Sequence, residues 1–147
     1  MATTDIQKIR EMTGAGVMEC KRALDDARGD FSTAVKLIQE RGLAKAEKKA
    51  ARTAGAGLVE AYVHAGRVGV LLEIRVETDF VVRSEPFKVL AHDLAMHIAA
   101  MDPADVSALL AEPYVRDATM TVENLVKGVI AKVGENIVVV RFCRYEL

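Results

Sequence analysis

Tryptophan is absent from this 147-residue chain, and aromatic residues make up only 5% of it. Cysteine, proline and histidine are nearly as scarce, at two, three and three residues. Each shortage excludes something. Cys20 and Cys143 do not make a disulfide framework, and without a Cys-x-x-Cys pair they do not read as a zinc site. His92 and His97 are five apart, which places them on different faces of a helix, so no metal is expected. The net charge is −1, with 20 basic against 21 acidic residues. A general nucleic-acid binder would need an excess of Lys and Arg to neutralise phosphates, so direct nucleic-acid binding is not expected. No run approaches the ~20 apolar residues that span a bilayer, and the first thirty residues hold no apolar signal core. The expectation is a cytoplasmic protein, away from membranes, with both thiols reduced. Glycine-rich phosphate loops and a Gly-x-Ser-x-Gly elbow are missing too. No catalytic residue and no cofactor is expected.

What is present is a well-patterned globular sequence, 51% hydrophobic and 28% charged, long enough to bury a core. Three short helices are expected first. Thr4 and Gln7 form a capping-box pattern ahead of Asp5–Met12, and Thr13-Gly14-Ala15-Gly16 breaks that helix. Val17–Ala27 follows with Cys20, Ala23, Leu24 and Ala27 on one face, and Arg28-Gly29 stops it. Asp30 caps a third helix that Gly42 ends. Leu43–Ala54, rich in Ala, Lys, Glu and Arg, reads as a solvated linker helix rather than a phosphate-binding patch, because no aromatics interleave with Lys45, Lys48, Lys49 and Arg52. Gly55-Ala56-Gly57 marks a boundary. The expected units are 1–54, a helical module with its linker, and 55–147, an α+β core.

In the core, Leu58–His64 and Val68–Val76 read as a hairpin joined through Ala65-Gly66-Arg67. Ser84 and Pro86 open a helix that Asp102-Pro103 ends. A short helix over Asp105–Leu110 precedes another that Thr121 opens, with Leu125, Val129 and Val133 on one side. Ile137–Tyr145 is the strongest β-former and completes a three-stranded antiparallel sheet, covered by helices on one face. Between the second strand and its helix lies Glu77-Thr78-Asp79-Phe80-Val81. An acid and a phenyl ring at such a turn suit prying at a partner. The plainer alternative is that Phe80 anchors the core and Asp79 caps a helical turn.

Three blocks carry a family resemblance. Thr13-Gly14-Ala15-Gly16-Val17-Met18-Glu19-Cys20-Lys21-Arg22-Ala23-Leu24 resembles the N-terminal signature of the bacterial elongation factor Ts family. Glu77–Val81 resembles its second signature, and Val133-Gly134-Glu135-Asn136-Ile137-Val138-Val139 its C-terminal block. The resemblance implies a nucleotide-exchange factor for elongation factor Tu, built from a ubiquitin-associated-like three-helix module and an α+β core. By position it implies that Arg10, Val17, Met18, Cys20 and Lys21 dock the module on the GTPase. It implies that Thr78, Asp79, Phe80 and Val81 insert near the GTPase's Mg²⁺ site, with no covalent chemistry. For Cys20, buried packing is the competing reading.

Two departures from the family pattern stand out. Val82 and Ser84 replace residues usual after the second signature, and the stretch from Met101 to Pro113 is short, with room for one core half. A single half is expected to pair as a homodimer through the core sheet, whose last strand offers a long apolar edge. Cys143 would then approach its symmetry mate, or remain a packing thiol. The alternatives are an adaptor that binds proteins through the helical module alone, and a small-ligand enzyme using His97 or Asp79 as base.

Overall fold

A computed structural model describes residues 2–147. The first helix, α1, spans Ala2–Thr13, so Thr4 lies inside it rather than capping it. Gly14 follows with φ 70, and α2 runs over Val17–Asp26. Helix α3 covers Phe31–Lys49, opened by Asp30, whose carboxylate accepts from the Thr33 N–H at 2.8 Å. The Thr33 side chain, and then that N–H bond, hold the Asp30 carboxyl below its ordinary pKa.

Gly42 does not end α3. The helix passes straight through it, because a second set of contacts takes over at that point. A Cβ on Gly42 would lie 3.3 Å from the Ala131 Cβ of a crossing helix, so glycine permits the crossing rather than a break. The expected linker helix is therefore the second half of α3. It is not fully solvated, since Ala46 is buried in the α+β core. Ala34 and Ile38 of the same helix instead join Ile9, Cys20, Ala23 and Leu24 in a separate small core. One helix thus serves two cores. In its second half Lys45 reaches Glu19 at 2.6 Å, and past its end at Lys49, three residues on, Arg52 lies 3.6 Å from Glu77.

Strands β1 (Ala56–His64) and β2 (Val68–Val76) form the expected hairpin, β1 starting two residues before Leu58, with His64 opposite Val68. Ala65 and Gly66 both have positive φ, and the Arg67 N–H returns to the His64 carbonyl at 2.9 Å; this mirror-image turn matches strand twist. A one-turn helix α4 (Asp79–Val82) leads into α5 (Glu85–Met101). Ser84 precedes α5 as expected, but its hydroxyl donates to the Val81 carbonyl at 2.6 Å instead of capping α5. Helix α6 (Val106–Ala111) is capped by Asp105. A small ribbon, β3 (Pro113–Tyr114) with β4 (Asp117–Thr121), was not expected from the sequence. Thr121 caps α7 (Val122–Val133), and β5 (Ile137–Glu146) closes the sheet.

The sheet is antiparallel in the order β1-β2-β5. One face, carrying Val70, Leu72, Ile74, Val76, Ile137 and Val139, is buried with Phe87, Leu90, Leu94 and Ile98 of α5. Along α7 the deepest stripe is Val122, Val126 and Ile130; Leu125, Val129 and Val133 flank it, half-buried. This is the α+β fold the pattern implied.

His97 shows how the ribbon is held. Its Nδ1 accepts from the Val115 N–H at 3.1 Å, so the proton sits on Nε2, 2.8 Å from a Glu112 carboxylate oxygen. The ring stacks on Tyr114 and is fully buried. Both nitrogens are occupied, so His97 is a structural fastener rather than a base.

Candidate partner-binding site

The turn after β2 is built around one inward residue. Thr78 caps α4 through its hydroxyl, which accepts from the Val81 N–H at 3.5 Å, and the Val82 N–H returns to the Thr78 carbonyl at 3.3 Å. Consecutive helical residues are rotated by about 100°, so one turn cannot bury three neighbours in a row. Val81 takes the inward place and is in the core. Asp79 faces solvent, and Phe80 is 85% exposed. The other three phenylalanines pack: Phe87 is fully buried, and Phe31 and Phe142 lie against the two cores. Core anchoring by Phe80 is thereby overturned, as is capping by Asp79. Val81 is the anchor and Thr78 the cap, so Val81 is not open to a partner as the turn stands.

The turn is held from outside by the block that follows α7. Gly134 ends that helix with φ 76, and Glu135 comes next. One Glu135 carboxylate oxygen accepts from the Thr78 N–H at 3.0 Å, and the hydroxyl of Thr78 reaches the other at 2.9 Å. In return, the Asn136 N–H donates to the Glu77 carboxylate at 2.8 Å. The buried Asn136 amide donates onward to the carbonyls of Ala50 at 3.3 Å and Arg52 at 2.8 Å, beyond the end of α3. Sequence reading placed Glu135 and Asn136 in the C-terminal block of the resemblance and gave them no part in the site. Their part in the site depends on contacts across nearly sixty residues, which no local spacing reveals.

The other expected set lies on α1 and α2. Met18 is 60% exposed, Val17 is also exposed, and Arg10 and Lys21 face solvent. Cys20 does not join them. It is fully buried, with its thiol 3.7 Å from the Ala15 carbonyl, and burial followed by the nearby Glu19 charge pushes its pKa up. Direct contact by Cys20 is replaced by packing. Met12, not singled out from the sequence, adds another exposed thioether beside the Gly14 turn. Gly14 is required there, since its φ is positive and a Cβ would press on the Lys132 side chain of α7. No group of three or more His, Cys, Asp or Glu residues that could hold a metal occurs among the described residues.

A family model described as elongation factor TS matches residues 77–147, from the Glu77 turn through β5. Curated proteins extend the match to the whole chain. An elongation factor Ts from Thermotoga maritima is 41% identical, covering 97% of this chain and 94% of its own length. One from Moorella thermoacetica is 37% identical over 100% of this chain and 95% of its own. This chain belongs to the elongation factor Ts family. Its role is accordingly that of a translation elongation factor. The Thermotoga alignment runs over 186 positions, more than the 147 residues here, so that relative holds sequence this chain lacks. Against an elongation factor Ts from Nostoc the alignment needs only 143 positions at 45% identity, and covers 97% of this chain but 45% of the Nostoc protein. No described helix is long and apolar enough to cross a membrane.

As chemistry, the arrangement offers volume, a negative charge and hydrogen-bonding groups on a braced turn. It brings together no nucleophile with a base.

Proposed function

We propose that this chain is a guanine-nucleotide exchange factor that binds elongation factor Tu carrying GDP and promotes GDP release. Residues 1–54 dock on the GTPase through Arg10, Val17, Met18 and Lys21. The turn Thr78–Phe80, carried by residues 55–147, disturbs the site that holds Mg²⁺ and phosphate. The observation that carries this reading is Phe80: a phenyl ring held in solvent on a turn whose neighbour Val81 is already the anchor. Burying such a ring in a partner is worth roughly 1.5–3 kcal/mol. Asp79 beside it offers a carboxylate to donors uncovered when partner helices part.

The physics requires no bond to be made or broken. Bound Mg²⁺ offsets the charge of the nucleotide phosphates, so displacing the elements that hold the ion loosens both. Exchange then follows from coupling: a factor whose binding weakens GDP affinity is itself weakened by GDP to the same degree. The test is whether catalytic amounts of this protein speed release of a fluorescent GDP analogue from elongation factor Tu.

We propose further that the chain works as a homodimer through the outer face of its sheet. Val59, Val63, Leu71, Val138, Val140 and Tyr145 are exposed there, and the register aligns Ala61, Leu71 and Cys143 in one row. Glu73 stands among them, its carboxyl held below the ordinary range by hydrogen bonds from Arg75 and Arg141, each at 2.9 Å. An apolar face with its central charges already neutralised suits a second copy of itself.

A further inference from the structure

A single helical turn has little stability of its own, because nucleation fixes several residues for one hydrogen bond. In α4 that bond is the 3.3 Å contact from the Val82 N–H to the Thr78 carbonyl. Inside the protein its anchors all follow Phe80: Val81 is buried, Val82 packs half-buried against the same core, and the Ser84 hydroxyl donates to the Val81 carbonyl. The direction in which Phe80 points therefore depends on what fixes Thr78. The Glu135 carboxylate does so, taking both the N–H and the hydroxyl of Thr78.

Glu135 is itself well placed to act as a fixed post. It follows the left-handed Gly134 that ends α7 and precedes Asn136, the last residue before β5. The return bond from the Asn136 N–H to Glu77 closes a reciprocal pair, each carboxylate accepting from the backbone of the opposite segment. Charge-assisted bonds of this kind are stronger than neutral ones and fix geometry.

We propose that Glu135 is a positioning residue that pre-orients Phe80, while Glu77 and Asn136 tie the same joint to the end of α3. This rests on the exchange-factor reading above. A free turn would have to be ordered as the ring inserts, after the α2 face has docked, whereas a braced one presents the ring already aimed. Thr78 is exposed, so water can replace Glu135 as its partner without a buried group being orphaned. The fold should survive the loss, and the aim should not.

The experiment compares the full-length protein with Glu135→Ala and Glu135→Gln. Stimulated GDP release is followed against factor concentration, and backbone amide exchange is read on the free proteins. Glu135→Ala should lower the maximal rate roughly tenfold and leave the half-saturating concentration within about twofold, since the α2 face is untouched. Glu135→Gln keeps an acceptor oxygen and should recover most of the rate. In the free protein, Glu135→Ala should speed amide exchange at Val81 and Val82, whose N–H groups bond to Thr78, but not in β2 or β5. A lowered melting temperature with an unchanged maximal rate, or unchanged exchange at the turn, would overturn the proposal. Should the unmodified protein fail to speed GDP release, the exchange-factor reading falls. The amide exchange then still decides whether Glu135 orders the turn.

Discussion

At the scale of single residues, the decisive contrast is between neighbours. Phe80 and Val81 are both apolar and both at an element junction, and the sequence pattern alone favours packing the ring inward. A one-turn helix admits one inward residue, and the smaller side chain takes it. Phe80→Ala should therefore leave the melting temperature unchanged within a degree or two, since the ring contributes almost nothing to the core. Stimulated GDP release should fall about ten- to a hundredfold, the equivalent of losing ~1.5–3 kcal/mol of ring burial in the partner. Thermal melting and the nucleotide-release assay check the two halves separately. The cysteines make a second contrast, Cys20 buried and Cys143 exposed. In the single chain that Val63→Glu is expected to give, a thiol reagent at neutral pH should modify one cysteine quickly, and mass mapping should place the label on Cys143, which the proposed pairing would otherwise cover. Cys20 should react only on unfolding, because burial raises its pKa and closes access.

At the scale of elements, most of the fold was legible and the failures share a cause. Strand β2 begins and ends where its period-two pattern does, and Thr121, Asp105 and Asp30 cap the helices they precede. Glycines misled where their meaning was tertiary. Gly42 reads as a stop, yet it is a crossing point between α3 and α7. Gly57 reads as a boundary, yet it lies within β1, where a Cβ would collide with the Ile74 carbonyl and come within 2.9 Å of the Arg75 Cα. Backbone cannot step aside as a flexible side chain can. Gly57→Ala should thus cost about 1–3 kcal/mol in denaturant unfolding by forcing β1 away from β2. In the candidate site, Asp79-Phe80 was visible as a local pattern. The Glu135–Thr78 and Asn136–Glu77 bonds were not, because they join segments that only the folded sheet brings together.

At the scale of the whole molecule, one helix links two cores and one sheet face lies open. The face holds side chains as large as Tyr145, which is 76% exposed, in a chain whose mass is 16.0 kDa. Light scattering should give about twice the chain mass, and Val63→Glu should reduce it to one by placing an unpaired charge in the apolar interface. A single chain mass for the unmodified protein at micromolar concentration would remove the homodimer from the account. The central claim concerns the partner rather than the pairing. Release of a fluorescent GDP analogue from elongation factor Tu, with and without a substoichiometric amount of this protein, tests it most directly. The account predicts strong acceleration that continues over many turnovers of the factor. No acceleration by the folded protein with a cognate GTPase would contradict it, leaving Asp79 and Phe80 as surface residues without that role.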